Sequence, residues 1–136
     1  MLEKGGLLPA FLPVWIWTDF FIKNVTENQH IILDGLARRD DEVPVLARAL
    51  QFYKRPHTRI VEMRISDDEA RTRLKARERA DDTDTEIARR LEWFSENVIP
   101  AIAAWKKFPD VLIHAVDGEH PIEEVQQEVL KTLHLL

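Results

Sequence analysis

The chain has 136 residues, 45% of them hydrophobic and 32% charged, which is typical of one globular domain covering residues 1–136. Its net charge of −5 argues against a nucleic-acid surface, which needs clustered positive charge. With no cysteine it cannot form a disulfide, a thiolate nucleophile or a zinc–thiolate site, and its five histidines lack metal-ligand spacing.

The first patterned segment, residues 7–22, is almost entirely apolar but is interrupted by Pro9, Pro13 and Asp19. It is shorter than the roughly 20 residues that span a bilayer, and no small-residue cleavage site follows it. We therefore expect no membrane span and a cytoplasmic protein. The segment predicts a helix over about residues 10–24, whose aromatic side chains need a core or a partner.

Strand and helix patterns then alternate. Short apolar runs predict strands at residues 30–34, 59–65 and 111–116. Residues typical of helix starts precede four further helical patterns: Asp40 or Asp41, Ser66, Thr83 and Pro121. Pro100 should kink the long third one. This alternation indicates an α/β fold with a parallel sheet.

Two features could carry phosphate chemistry. Asp34 ends the first predicted strand, where ligands of open α/β sheets collect and where a carboxylate can hold hydrated Mg²⁺, although Asp-Gly pairs also serve simply to turn a chain. Arginines follow, with Arg73 and Arg77 on one helical face. Guanidinium groups suit phosphate oxygens, but spacing alone favours a solvated face paired with neighbouring carboxylates.

The order of the motifs resembles adenylate kinase, a nucleoside monophosphate kinase of the P-loop class. The resemblance runs from about Gly5 to the C-terminus. It is carried by GGLLP at 5–9, LDGLAR at 33–38, Arg73-xxx-Arg77-x-Arg79-x-Asp81-Asp82, Arg89-Arg90-Leu91, and Val116-Asp117-Gly118 before Pro121. It implies a three-layer α/β fold like that of P-loop NTPases, and reversible Mg²⁺-dependent phosphoryl transfer between ATP and AMP.

The resemblance also implies residue roles. Residues 35–38 (Gly35, Leu36, Ala37 and Arg38) would contact the nucleoside monophosphate, with Arg38 on its α-phosphate, and Asp34 would lie near Mg²⁺. Gly6, Leu7 and Leu8 would lie along the acceptor adenosine, and His120 near the donor adenine. Arg77 would bind the donor triphosphate, Arg79 and Arg90 would clamp the transferring phosphoryl group and the acceptor, and Asp81 and Asp82 would orient the lid.

The sequence departs from the family pattern in several places. Ala37 replaces a usual proline, Glu42 replaces a glutamine that reads adenine, and the lid at residues 77–82 is very short. None of the four glycines begins a G-x-x-x-x-G-K-[ST] loop, the phosphate cradle of the family. The strand leading to that loop would lie between the strands at 30–34 and 59–65. We expect the resulting gap to be filled by a swapped element, a second copy, a missing N-terminal piece or rearranged pairing.

Three hypotheses follow. The chain is a kinase portion that is inactive alone, or a non-catalytic nucleotide-binding or self-associating module, or a scaffold whose arginines pair with local carboxylates.

Overall fold

The computed structural model describes residues 8–9, 11–77, 79 and 82–136. Its helices and strands follow one another in this order: α1 (Phe11–Asn24), α2 (Val43–Phe52), β1 (Thr58–Arg64), α3 (Asp67–Ala76), α4 (Asp84–Trp93), α5 (Ile99–Trp105), β2 (Val111–Asp117) and α6 (Ile122–Thr132). A π-helical turn, Phe94–Val98, joins α4 to α5. The predicted α/β class is confirmed.

The two strands pair in parallel, in register from Thr58 opposite Val111 to Arg64 opposite Asp117. The connection between them passes through α3, α4 and α5, as a parallel pair requires. This pair is the part of a P-loop-type sheet that the described residues contain.

The predicted strand at residues 30–34 is wrong. Among the residues that the structure describes, this segment pairs with no strand, and Ile32 is 95% exposed. In the sheet implied by the resemblance, its neighbour would be the P-loop strand, which this sequence does not contain. A strand is stabilised by its ladder of hydrogen bonds to a neighbour. In the described part of the chain this segment has no such neighbour, so it does not form a strand. Of the two strands that were expected to border the gap, only β1 forms in the described structure, so only β1 presents an edge to it.

The core forms where α1, α2 and α5 meet one face of the sheet. Trp17 and Phe21 of α1 contact each other edge to face, with ring centroids 5.4 Å apart. The buried cluster consists of Trp17, Phe21, Ala37, Val43, Leu46, Leu50, Ala101 and Trp105, with Ile60 and Ile113 of the strands packed against it. One face of the predicted first helix is thus buried in the core, while its other face is exposed.

Helix starts agree with the sequence in two cases. The Ser66 and Thr83 hydroxyls each accept a hydrogen bond from the backbone N–H three residues later, at 3.3 Å. At α2 the predicted cap by Asp40 or Asp41 is wrong, because Glu42 occupies the cap position and makes no capping bond with its side chain. Pro100 is the second residue after the π-helical turn, as expected of a proline that disturbs a long helix. Each helix in the described ranges is too short or too polar to cross a membrane.

Candidate functional site

A groove of about 440 Å³ lies beside the loop between α1 and α2. Its walls are formed by Leu8, Pro13, Ile16, Trp17, Gly35, Leu36, Ala37, Arg38, Arg39, Glu42 and Trp93. Six residues that sequence analysis placed around the acceptor nucleotide are among them: Leu8, Gly35, Leu36, Ala37, Arg38 and Glu42. The other two of that set, Gly6 and Leu7, lie outside the described residues. The fold therefore gathers into one groove side chains that come from three separate parts of the chain.

The loop at residues 34–38 turns on two left-handed backbone positions. Gly35 has a φ of 68° and the buried Ala37 a φ of 49°. A proline has its φ fixed near −65° and cannot adopt the Ala37 conformation. The replacement of the usual proline by alanine thus matches the backbone of this loop, which presents Arg38 to the groove.

Arg38 lies over the ring of Trp93, with its guanidinium carbon 5.4 Å from the ring centroid. This cation–π contact orients an otherwise exposed arginine at the edge of the groove. Trp93 was missed by sequence analysis. The available signal was its position one helical turn after Arg90 on α4, which places the two on one face of that helix.

Glu42 is the one acidic residue among the described groove residues, and it is only 7% exposed. Burial raises the pKa of its carboxyl group, and the nearby Asp41 carboxylate raises it further. The charges of Arg39 and Arg38 and a hydrogen bond from the Arg38 backbone lower the pKa, without reversing the net shift.

A second group of charges surrounds Asp82, whose side chain is 2% exposed. Arg77 donates two hydrogen bonds to the Asp82 carboxylate, at 2.5 Å from Nε and 2.8 Å from Nη2. Arg90 of α4 donates to the same carboxylate. These hydrogen bonds hold the pKa of Asp82 well below its usual range, and the bonding from Arg77 has the largest effect. Two guanidinium groups are thus held side by side at one carboxylate, and guanidinium groups are well suited to bind phosphate oxygens.

Other residues that were predicted to bind phosphate or orient the lid are close to Asp82 in the sequence. Arg79 is exposed, and its carbonyl accepts a hydrogen bond from the Asp82 backbone N–H at 2.9 Å. Asp81 lies outside the described residues. Arg73 pairs with Glu69 at 2.6 Å, as the interpretation of a salt-bridged helix face expects. The α4 helix links the two sites, because it carries both Arg90 and Trp93.

Two further predicted residues lie in exposed loops. Asp34 is exposed in the irregular segment before α2 and not at the end of a strand. His120, in the turn between β2 and α6, lies 3.5 Å from an Asp117 oxygen and 3.8 Å from a Glu124 oxygen. Within the described residues, no three histidine, aspartate or glutamate side chains are grouped as a metal site.

No protein-family model matches the chain. Over 132 residues it is 30% identical to the adenylate kinases of Mycobacterium ulcerans (strain Agy99) and Mycobacterium marinum (strain ATCC BAA-535 / M). It is 33% identical over 132 residues to adenylate kinase 1 of Nostoc sp. (strain PCC 7120 / SAG 25.82 / UTEX 2576). Each of these matches covers 97% of this chain and 70% of the relative. The chain belongs to the adenylate kinase family.

Proposed function

We propose that the groove binds a nucleoside monophosphate, with Arg38 on its phosphate and the apolar walls around its nucleoside. The observation that carries this proposal is the convergence of six expected acceptor-binding residues on one groove, together with the orientation of Arg38 by Trp93. The adenylate kinase relatives support a nucleotide-kinase function, in which we take ATP as the phosphoryl donor and the monophosphate in the groove as the acceptor. We also propose that the protein acts in the cytoplasm.

We further infer that the arginines near Asp82 bind the donor triphosphate and the transferring phosphoryl group. Phosphoryl transfer depends on positioning and on stabilising negative charge, and little covalent chemistry is left for the protein. Arg77 would bind the donor triphosphate, and Arg79 and Arg90 would hold the transferring group. Asp82 supports this assignment because one buried carboxylate fixes the directions of Arg77 and Arg90.

Asp34 would hold Mg²⁺ in this proposal. Mg²⁺ keeps several waters and takes one or two carboxylates together with substrate phosphates, so a single exposed carboxylate fits the ion. When bound, Mg²⁺ neutralises charge on the phosphates during transfer. Residues 30–34 form no strand in the described structure, but Leu33, the neighbour of Asp34, packs against the buried cluster.

We further propose that this chain by itself turns over little or no substrate. The sequence contains no G-x-x-x-x-G-K-[ST] loop, whose backbone amides and lysine bind the donor phosphates in P-loop enzymes. Removal of even one preorganised donor costs on the order of 10²–10³ in rate. A coupled assay for ADP formation, with and without an added P-loop segment, tests this statement.

Calorimetric titration with AMP tests the binding proposal. We expect Arg38→Ala to weaken binding on the order of tenfold or more, because a charge-assisted bond to phosphate is lost. Arg48→Ala is the matched control: Arg48 is an exposed arginine of α2 that does not line the groove. Equal affinity of the wild type and Arg38→Ala would refute the assigned role of Arg38.

A second candidate function is self-association, and the outer face of α1 favours it. Phe11, Trp15 and Ile22 share this face and are between 66% and 71% exposed. Apolar surface of that kind on a soluble domain is typical of contact surfaces. In the described residues, β1 also pairs on one edge only.

A further inference from the structure

Glu42 presents a chemical problem inside the proposed nucleotide site. The groove offers Arg38 and Arg39 for a phosphate, and it offers apolar side chains such as Ile16 and Trp93 for a planar ring. A carboxylate fits neither use, because it repels a phosphate and is costly to bury against apolar walls. The Arg38 backbone hydrogen bond and the charges of Arg39 and Arg38 offset the cost of its burial only in part, since its pKa remains raised. A ligand that brings further hydrogen-bond donors would stabilise it more.

An ionised carboxylate accepts hydrogen bonds on both oxygens and donates none. A base that suits it must present two donors on neighbouring atoms. Guanine does so with its N1–H and its 2-amino group. Adenine does not, since its 6-amino donor stands between the ring acceptors N1 and N7, one of which would face the second carboxylate oxygen.

A glutamine at the same position would have the opposite preference. Its amide carries one acceptor oxygen and one donor NH₂ group. That pair matches the 6-amino group and N1 of adenine. A carboxylate at residue 42 can therefore pair both of its oxygens with guanine, whereas an amide can pair its oxygen and its NH₂ group with adenine.

We propose that Glu42 makes this groove select a guanine nucleoside monophosphate over AMP. The inference rests on the proposed function, since it names the base of the monophosphate bound there. Glu42 is placed for this role at the start of α2, where it is 7% exposed and shares the groove with Arg38. Its two oxygens would accept from N1–H and from the 2-amino group of guanine.

The test is calorimetric titration of the whole chain with GMP, IMP and AMP. These ligands share the phosphate and the ribose but present to Glu42 two adjacent donors, one donor, and a donor next to an acceptor. We expect affinity to fall in the order GMP, IMP, AMP, with GMP on the order of tenfold or more tighter than AMP. This comparison needs only the wild-type protein, so it does not depend on the folding of any variant.

Glu42→Gln should reduce or reverse the preference for GMP over AMP. Asp40→Asn removes the same charge from an exposed position that does not line the groove, and should leave the preference unchanged. Wild-type binding of AMP as tight as that of GMP, with both weakened by Arg38→Ala, would overturn the base assignment and leave the monophosphate site standing. Failure of all three ligands to bind would overturn both proposals.

Discussion

A carboxyl group as buried as that of Glu42 makes the stability of the fold depend on pH. Burial raises its pKa from the ordinary value of 4.5, with Asp41 adding to the shift. In an acid with a raised pKa the folded state binds the proton more tightly than the unfolded state does. The contribution of Glu42 to stability is therefore full below about pH 4.5 and is lost as the pH rises through its folded-state pKa.

Glu42→Gln, which cannot ionise, should remove this loss. We expect the free energy of unfolding of the variant to exceed that of the wild type by an amount that grows as the pH rises from about 4.5. Urea unfolding at a series of pH values measures the difference. Glu92→Gln, on an exposed position of α4, is the control. A difference between Glu42→Gln and the wild type that shrinks toward neutral pH would contradict the expectation.

At the scale of a single element, the end of α2 shows how a local motif can be improved. The Arg55 N–H donates to the Leu50 carbonyl at 2.8 Å, and the Lys54 N–H donates to the Gln51 carbonyl at 3.0 Å. This is the Schellman pattern, which places a left-handed residue just after the helix. Lys54 has a φ of 53°, a conformation that glycine adopts without steric cost.

Lys54→Gly should therefore raise the free energy of unfolding by about 0.5–1 kcal/mol, since relief of left-handed strain exceeds the entropy that glycine adds to the unfolded chain. Arg48→Gly, at an exposed position inside the same helix, should lower it by about 1 kcal/mol. Chemical denaturation of both variants measures the pair. The motif would be misassigned if Lys54→Gly were as destabilising as Arg48→Gly.

At the scale of the whole molecule, the exposed apolar face of α1 predicts an assembly of identical chains. Trp15 is 66% exposed on this face, so burial against a second copy would remove a large apolar surface from water. Sedimentation velocity over a range of concentrations should show a dimer or larger species. Trp15→Lys should weaken association on the order of tenfold or more, because it places a charge in the apolar contact.

Ile122→Lys provides the comparison for this experiment. Ile122 is 82% exposed on α6, and its replacement should leave association unchanged if α1 forms the contact. A wild-type chain that remains monomeric at every concentration would rule the α1 contact out. An effect of Ile122→Lys equal to that of Trp15→Lys would instead indicate non-specific adhesion.

Much of the fold could be predicted from the sequence because it depends on neighbouring residues. Hydrophobic periodicity and the capping hydroxyls of Ser66 and Thr83 located most of the helices, and apolar runs located both strands that form. The order of the motifs along the chain indicated the family without any knowledge of tertiary contacts. These signals are local, and the described structure retains them wherever a segment finds its own hydrogen bonds or packing partner.

What only the tertiary structure decided depends on residues far apart in the chain. Residues 30–34 have the composition of a strand but no neighbour to pair with in the described structure, so the pattern alone led to a wrong prediction. The contact between Arg38 and Trp93, and the sharing of one buried Asp82 carboxylate by Arg77 and Arg90, arise from how α4 lies against the other elements. The residue types determined which chemistry the chain could carry. Packing determined which of those groups share one groove, because distances between residues far apart in the sequence follow from how the elements pack and not from spacing along the chain.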